Sequence, residues 1–101
     1  MREFIDLPGA SGATYRFRLW PQGASHSPMA GNYVLVKADA EGEGYSVLQA
    51  GVSDDLSTVR GTLEKAAKRG ATHIFTRLNV SRVVRTSEHE DISAALSSKA
   101  G

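Results

Sequence analysis

The sequence has 101 residues, a formal net charge of +1, 41% apolar and 23% charged residues, and no cysteine. This is the composition of one globular domain, residues 1–101, with one modest core and not that of a disordered chain. It excludes disulfides, thiolate catalysis and zinc sites built on cysteine, and the near-zero charge gives no overall electrostatic identity.

The opening MREFIDLPGASGATYRFRLW has no unbroken apolar run of the secretory kind, and no stretch approaches the length of a membrane span. A cytoplasmic protein without membrane contact is therefore expected. Residues 8 to 13, Pro-Gly-Ala-Ser-Gly-Ala, form a turn-rich stretch. Tyr15, Phe17 and Leu19 then alternate with Arg16 and Arg18, the period of a half-buried strand. Pro21-Gln22-Gly23 stops it, and the aperiodic run from Ala24 to Ala30 reads as a loop.

Tyr33-Val34-Leu35-Val36 is apolar and largely β-branched, a strand core. Asp39 to Gly44 reads as an exposed hairpin loop, and Tyr45 to Ala50 as the returning strand. A helix follows, with Ser53 as its cap and Asp54 and Asp55 at its positive end. Leu56, Val59, Leu63, Ala66 and Ala67 make its apolar stripe, Gly61 predicts a kink or a close contact, and Gly70 stops it. Thr72 to Leu78 reads as another strand. The last helix, capped by Asn79 or Ser81, runs to about Leu96 and buries Val80, Val83, Val84, Ile92, Ala95 and Leu96. The order β, β-hairpin, α, β, α points to an α+β layer rather than a doubly wound sheet.

Three features carry candidate chemistry. Glu88 lies four residues from both Val84 and Ile92, inside the apolar stripe of the last helix. A carboxylate there must pair with an arginine, hold a metal, or have its proton affinity raised. From Arg60 to Ser87 there are seven basic residues against Glu64 alone, a local excess of +6. Such a segment suits phosphate contacts, and equally suits solvated helix faces. His26, His73 and His89 have no partner at convincing ligand spacing, so a structural metal site is not expected, and Trp20 and Tyr15 read as strand packing.

The layout from Gly31 to about residue 97 resembles the GIY-YIG nuclease domain. Gly31-Asn32-Tyr33 stands for the first motif and Gln49-Ala50-Gly51 for the second. The run Gly51 to Leu56 resembles the family's entry into its arginine-bearing helix, and Thr86 to Ile92 its glutamate-bearing helix. The resemblance implies a small three-stranded antiparallel sheet packed with two helices, here with an added N-terminal strand in residues 1–30. It implies Tyr33 and Arg60 as catalytic groups and Glu88 as the ligand of Mg2+ or Mn2+. Gln49 replaces the second tyrosine, and Arg60 falls one place late. On this basis Lys65, Lys68, Arg69, Arg77, Arg82 and Arg85 are candidate contacts to DNA or RNA. The implied function is a catalytically degenerate, nucleic-acid-related domain. An active metal-dependent endonuclease is the first alternative. The second is a protein-interaction module using the N-terminal strand and the Pro21–Ala30 loop.

Overall fold

The computed structural model describes residues 2–21, 24–40 and 44–100, with side chains to residue 97. Among these residues five strands form one antiparallel, curled sheet in the order β1-β2-β5-β3-β4. They are β1 (Phe4–Pro8), β2 (Thr14–Leu19), β3 (Gly31–Ala38), β4 (Tyr45–Ser53) and β5 (His73–Leu78). Two helices, α1 (Arg60–Ala66) and α2 (Arg82–Ala100), complete an α+β fold. The sheet therefore has five strands, not three plus one. The additional strand is β1, where Ile5 and Leu7 turn inward and Phe4 and Asp6 outward. Its five residues end at Pro8, which leaves a period of two too short to stand out from the chain.

Side chains alternate across each strand, and the two faces carry separate cores. Ile5, Leu7, Phe17, Val34, Val36 and Phe75 pack with Ile92 of α2. Leu35, Ile74 and Trp20 pack on the opposite face with Leu56, Val59 and Ala66 of the α1 region. In β4 the register shifts opposite Leu35 and Val36, so that Leu48 is an extra residue and packs on the α1 side. A bulge of this kind bends an edge strand and discourages pairing with another chain.

The approach to α1 differs from the sequence reading. Asp55, not Ser53, caps the first turn: its Oδ1 accepts from the Ser57 amide at 3.0 Å. Ser53 instead closes a local turn, accepting from the Asp55 amide at 3.0 Å. The segment is a 3-10 turn (Leu56–Thr58), α1, and a second 3-10 turn (Ala67–Arg69) that leaves Ala67 exposed. Gly70 ends it at φ 98°, the left-handed stop expected. Open space surrounds Gly61, so no close contact explains it. In the β3–β4 loop, Asp39 and Gly44 exchange hydrogen bonds at 3.1 Å; residues 41–43 lie outside the described residues.

The largest departure is in α2. Val80, Val83 and Val84 are exposed, at 68%, 79% and 45%, while Arg85 is buried at 5%. Arg85 donates from Nη1 to the Val80 carbonyl at 2.8 Å and from Nη2 to Asp54 at 2.7 Å. Its own carbonyl accepts from Nδ2 of the buried Asn32 at 2.9 Å. This polar network, rather than the valines, seats the first turn of α2 against the end of the sheet. Ile92 is buried, and Ala95 and Leu96 half-buried, as expected.

Further along α2, Asp91 clasps the β1–β2 turn. Its carboxylate accepts from the Ser11 amide (2.9 Å), the Ser11 hydroxyl (2.7 Å) and the Tyr15 phenol (2.8 Å). Gly9 lies against the same carboxylate, in space that a Cβ would fill. The Ser11 hydrogen bond, then that of Tyr15, hold the Asp91 carboxyl below its ordinary value of 3.8. A lowered native value means the clasp stabilises fully above the unfolded-state value and is lost as pH falls through the native one. Urea unfolding between pH 5 and pH 2 is therefore expected to show a smaller acid-side loss in Asp91→Asn than in the parent, from a lower starting stability. An identical pH slope in the two proteins would contradict the clasp.

Candidate functional site

Adjacent residues of β3 place the implied catalytic groups on different faces. Tyr33 points to the α1 side, where its ring crosses Gly51, a position at which any Cβ would meet the ring. Gln49 lies on the same side, its Oε1 accepting from Arg69 Nη2 at 2.8 Å. Arg60 stacks on Trp20, 4.4 Å from the ring centroid, and donates to the Pro21 carbonyl at 3.0 Å. Asn32, the neighbour of Tyr33, points to the α2 side, and Glu88 belongs to its surroundings. Asn79 Nδ2 bridges Asn32 Oδ1 at 3.2 Å and Glu88 Oε1 at 3.0 Å. The structure thus gathers Tyr33, Gln49 and Arg60 on the α1 side and sets Glu88 across the sheet from them.

Glu88 is already engaged. Its Oε1 accepts from Arg77 Nε at 2.8 Å, and its side chain is only 15% exposed. Among the described residues no group of three or more His, Asp or Glu side chains is placed to hold a metal ion. One carboxylate, bonded to a guanidinium and an amide, does not fit a divalent ion, which takes several oxygen donors. Of the alternatives that the sequence left open for Glu88, pairing with an arginine is the one observed.

The basic segment also disperses. Lys65, Lys68 and Arg69 are exposed at the C-terminal end of the α1 region, and Arg82 is exposed at the start of α2. Arg85 is buried, and Arg77 is committed to Glu88, with its guanidinium 5.6 Å from the Tyr15 ring centroid. The fold keeps Lys65, Lys68 and Arg69 at one end of the α1 region and separates Arg77, Arg82 and Arg85 from them.

Basic residues outside that segment, Arg16 and Arg18, share a second surface. They project from β2 on the α1 side, over the part of the sheet where β2 and β5 pair only at Arg18–Thr76 and Leu19–Phe75. An open groove of about 670 Å³ lies here. Arg16, Arg18 and Arg77 line it together with Phe4, Thr76 and Leu78. Phe4 and Leu78 are 41% and 55% exposed, and Arg16 lies over the Phe4 ring at 5.4 Å. Asp6 pairs with Arg16 at 3.0 Å and Glu3 with Arg18 at 3.3 Å. The Arg16 hydrogen bond holds the Asp6 carboxyl below the ordinary carboxylate value.

One wall of the groove is formed by Pro21 and by Ala24 to Ser27, where His26 anchors the backbone to Thr76. His26 Nδ1 faces the Ser27 carbonyl at 2.9 Å and therefore carries the proton; Nε2 then accepts from the Thr76 hydroxyl at 2.8 Å in the neutral ring. Trp20 meets the His26 ring edge-on at 4.9 Å and donates to the Ala24 carbonyl at 2.8 Å. Trp20 and Tyr15 thus pack as the sequence suggests. His73 sits apart, bonded to the Thr72 hydroxyl at 2.7 Å, with burial lowering its proton affinity.

The signal for this groove was present in the alternation of Tyr15, Arg16, Phe17, Arg18 and Leu19, which puts both arginines on one strand face. The unrecognised β1 hid the rest, since its pairing with β2 brings Phe4 to the groove and Asp6 beside Arg16, with Glu3 just before it beside Arg18. Among the described residues no helix is long and apolar enough to cross a membrane. Comparison of the chain with protein-family models, curated proteins and solved structures finds no match.

Proposed function

We propose that this protein is a non-catalytic module that binds single-stranded nucleic acid in the groove beside β1, β2 and β5. The observation that carries the reading is the presence of Arg16 and Arg18 in one open groove that also has an exposed aromatic ring, Phe4. Guanidinium groups neutralise phosphates, and an exposed ring offers a face on which an unpaired base can stack.

The same reading expects no cleavage. Phosphodiester hydrolysis requires an activated water, a metal and a cation held around one phosphorus. Tyr33 and Arg60 lie across the sheet from Glu88, and Glu88 is bonded to Arg77.

Fluorescence anisotropy with a labelled oligothymidylate of about ten nucleotides tests this directly. Binding is expected to weaken log-linearly with salt, by roughly 0.7 in the slope for each phosphate neutralised. Arg16→Ala and Arg18→Ala are each expected to weaken binding several-fold and to flatten that slope. The oligonucleotide is expected to survive incubation with Mg2+ or Mn2+ intact. Absence of binding at low salt, or unchanged binding in both arginine variants, would overturn the assignment.

A further inference from the structure

The carboxylates around the groove indicate what kind of strand it takes. Arg16 is held by Asp6 through two contacts, Nε to Oδ1 at 3.0 Å and Nη2 to Oδ2 at 3.4 Å, the fork by which a guanidinium also grips a phosphate. Arg18 is held by Glu3 through one contact at 3.3 Å. Both pairs are open to solvent: the arginine side chains are 64% and 67% exposed, and the carboxylates 49% and 63%. Exposed pairs of this sort are weak and exchange readily. They nevertheless keep each guanidinium extended from the strand and matched to an anion.

Arg16 and Arg18 stand two residues apart on one face of β2, about 7 Å at the usual rise per residue. An extended sugar-phosphate strand presents consecutive charges at a comparable interval. A ligand with one phosphate can displace one carboxylate and leaves the other pair intact. A strand with two linked phosphates can displace both, and the second displacement is intramolecular, so it costs little further association entropy.

Resting on the groove reading above, we propose that Asp6 and Glu3 occupy the positions of two consecutive phosphates, and that the groove selects a phosphodiester-linked single strand over a mononucleotide or free phosphate. The two carboxylates set an affinity threshold that a polymer passes and a monophosphate does not. The ring of Phe4, beside Arg16, is the surface available to the base between them.

The experiment compares the parent with Asp6→Asn, Glu3→Gln, the double variant, and Glu90→Gln, which removes the same charge from an exposed position on α2, across the sheet. Anisotropy is read with the oligothymidylate at about 0.15 M salt, where a charge more than about 8 Å away is largely screened. Thymidine monophosphate and inorganic phosphate serve as competitors. Each single variant is expected to tighten oligothymidylate binding about threefold and the double variant about tenfold, with Glu90→Gln within twofold of the parent. Both small competitors are expected to displace the strand only at concentrations at least a hundredfold above an unlabelled oligothymidylate, roughly the lower bound for linked sites.

If the parent binds but Asp6→Asn and Glu3→Gln gain no more than Glu90→Gln, the carboxylates are not competitors and this proposal falls while the groove reading stands. If thymidine monophosphate competes as well as the oligonucleotide, the two-phosphate selection falls likewise. If neither the parent nor the double variant binds, the groove reading itself fails and takes this proposal with it.

Discussion

Replacing Arg85 with leucine is expected to destabilise the protein by about 3 kcal/mol, even though leucine suits a buried helix position better by hydropathy. Arg85 is 5% exposed and supplies hydrogen bonds to the carbonyls of Val80 and Asn79, at 2.8 and 3.4 Å, as the chain enters α2. Leucine would fill much of the space and leave both carbonyls without these donors. Asp54, the ionic partner, is 88% exposed and would return to water, so no buried charge is orphaned. The cost therefore comes from the abandoned acceptors, at about 1–3 kcal/mol each, and from the loosened seat of Asn32. Arg85→Lys keeps the charge and one directed donor and should recover about half of the loss. Arg82→Leu, three residues earlier but exposed, should stay within about 0.5 kcal/mol of the parent. Urea unfolding of the three variants measures all of these. Equal effects at positions 82 and 85 would show that Arg85 serves as a surface cation.

The contrast between these two arginines explains what could be read in advance. Elements governed by neighbours in sequence were legible: the stripe of Leu56, Val59, Leu63 and Ala66, the stop at Gly70, the alternation in β2 and the apolar run of β3. Each follows from local periodicity or from a backbone conformation that one residue type favours. The start of α2 was not legible, because apolar spacing assigns Val80, Val83 and Val84 to the core. A buried network among Asn32, Asn79, Arg85 and Glu88 decides the matter the other way. Its members come from two stretches far apart in the chain, Asn32 and the run from Asn79 to Glu88, so no short window of sequence contains it. At 100° per residue Val83 lies 200° from Arg85, and turning Arg85 inward turns Val83 to solvent. The groove was half legible for the same reason. The arginines of β2 announce themselves, but the strand that brings Glu3, Phe4 and Asp6 beside them is short and ends in proline.

Glu88→Ala distinguishes a structural carboxylate from a metal ligand. The variant is expected to lose about 2 kcal/mol, because Arg77 and Asn79 both lose the oxygen to which they donate. Arg77, whose side chain is 33% exposed, can recruit water in its place, and that limits the loss. For a domain of this size, 2 kcal/mol corresponds to a fall in Tm of about 8–16 °C. Glu88→Gln retains one acceptor oxygen for the same donors and should lose less than Glu88→Ala. The metal reading makes a different prediction. A divalent ion bound only to the folded protein would raise the parent's Tm in proportion to its occupancy and would leave Glu88→Ala unmoved. With Oε1 of Glu88 bonded to a guanidinium 2.8 Å away, millimolar Mg2+ or Mn2+ is expected to shift neither melting curve. A metal-dependent rise in the parent alone would return Glu88 to the role that its place in the motif suggests.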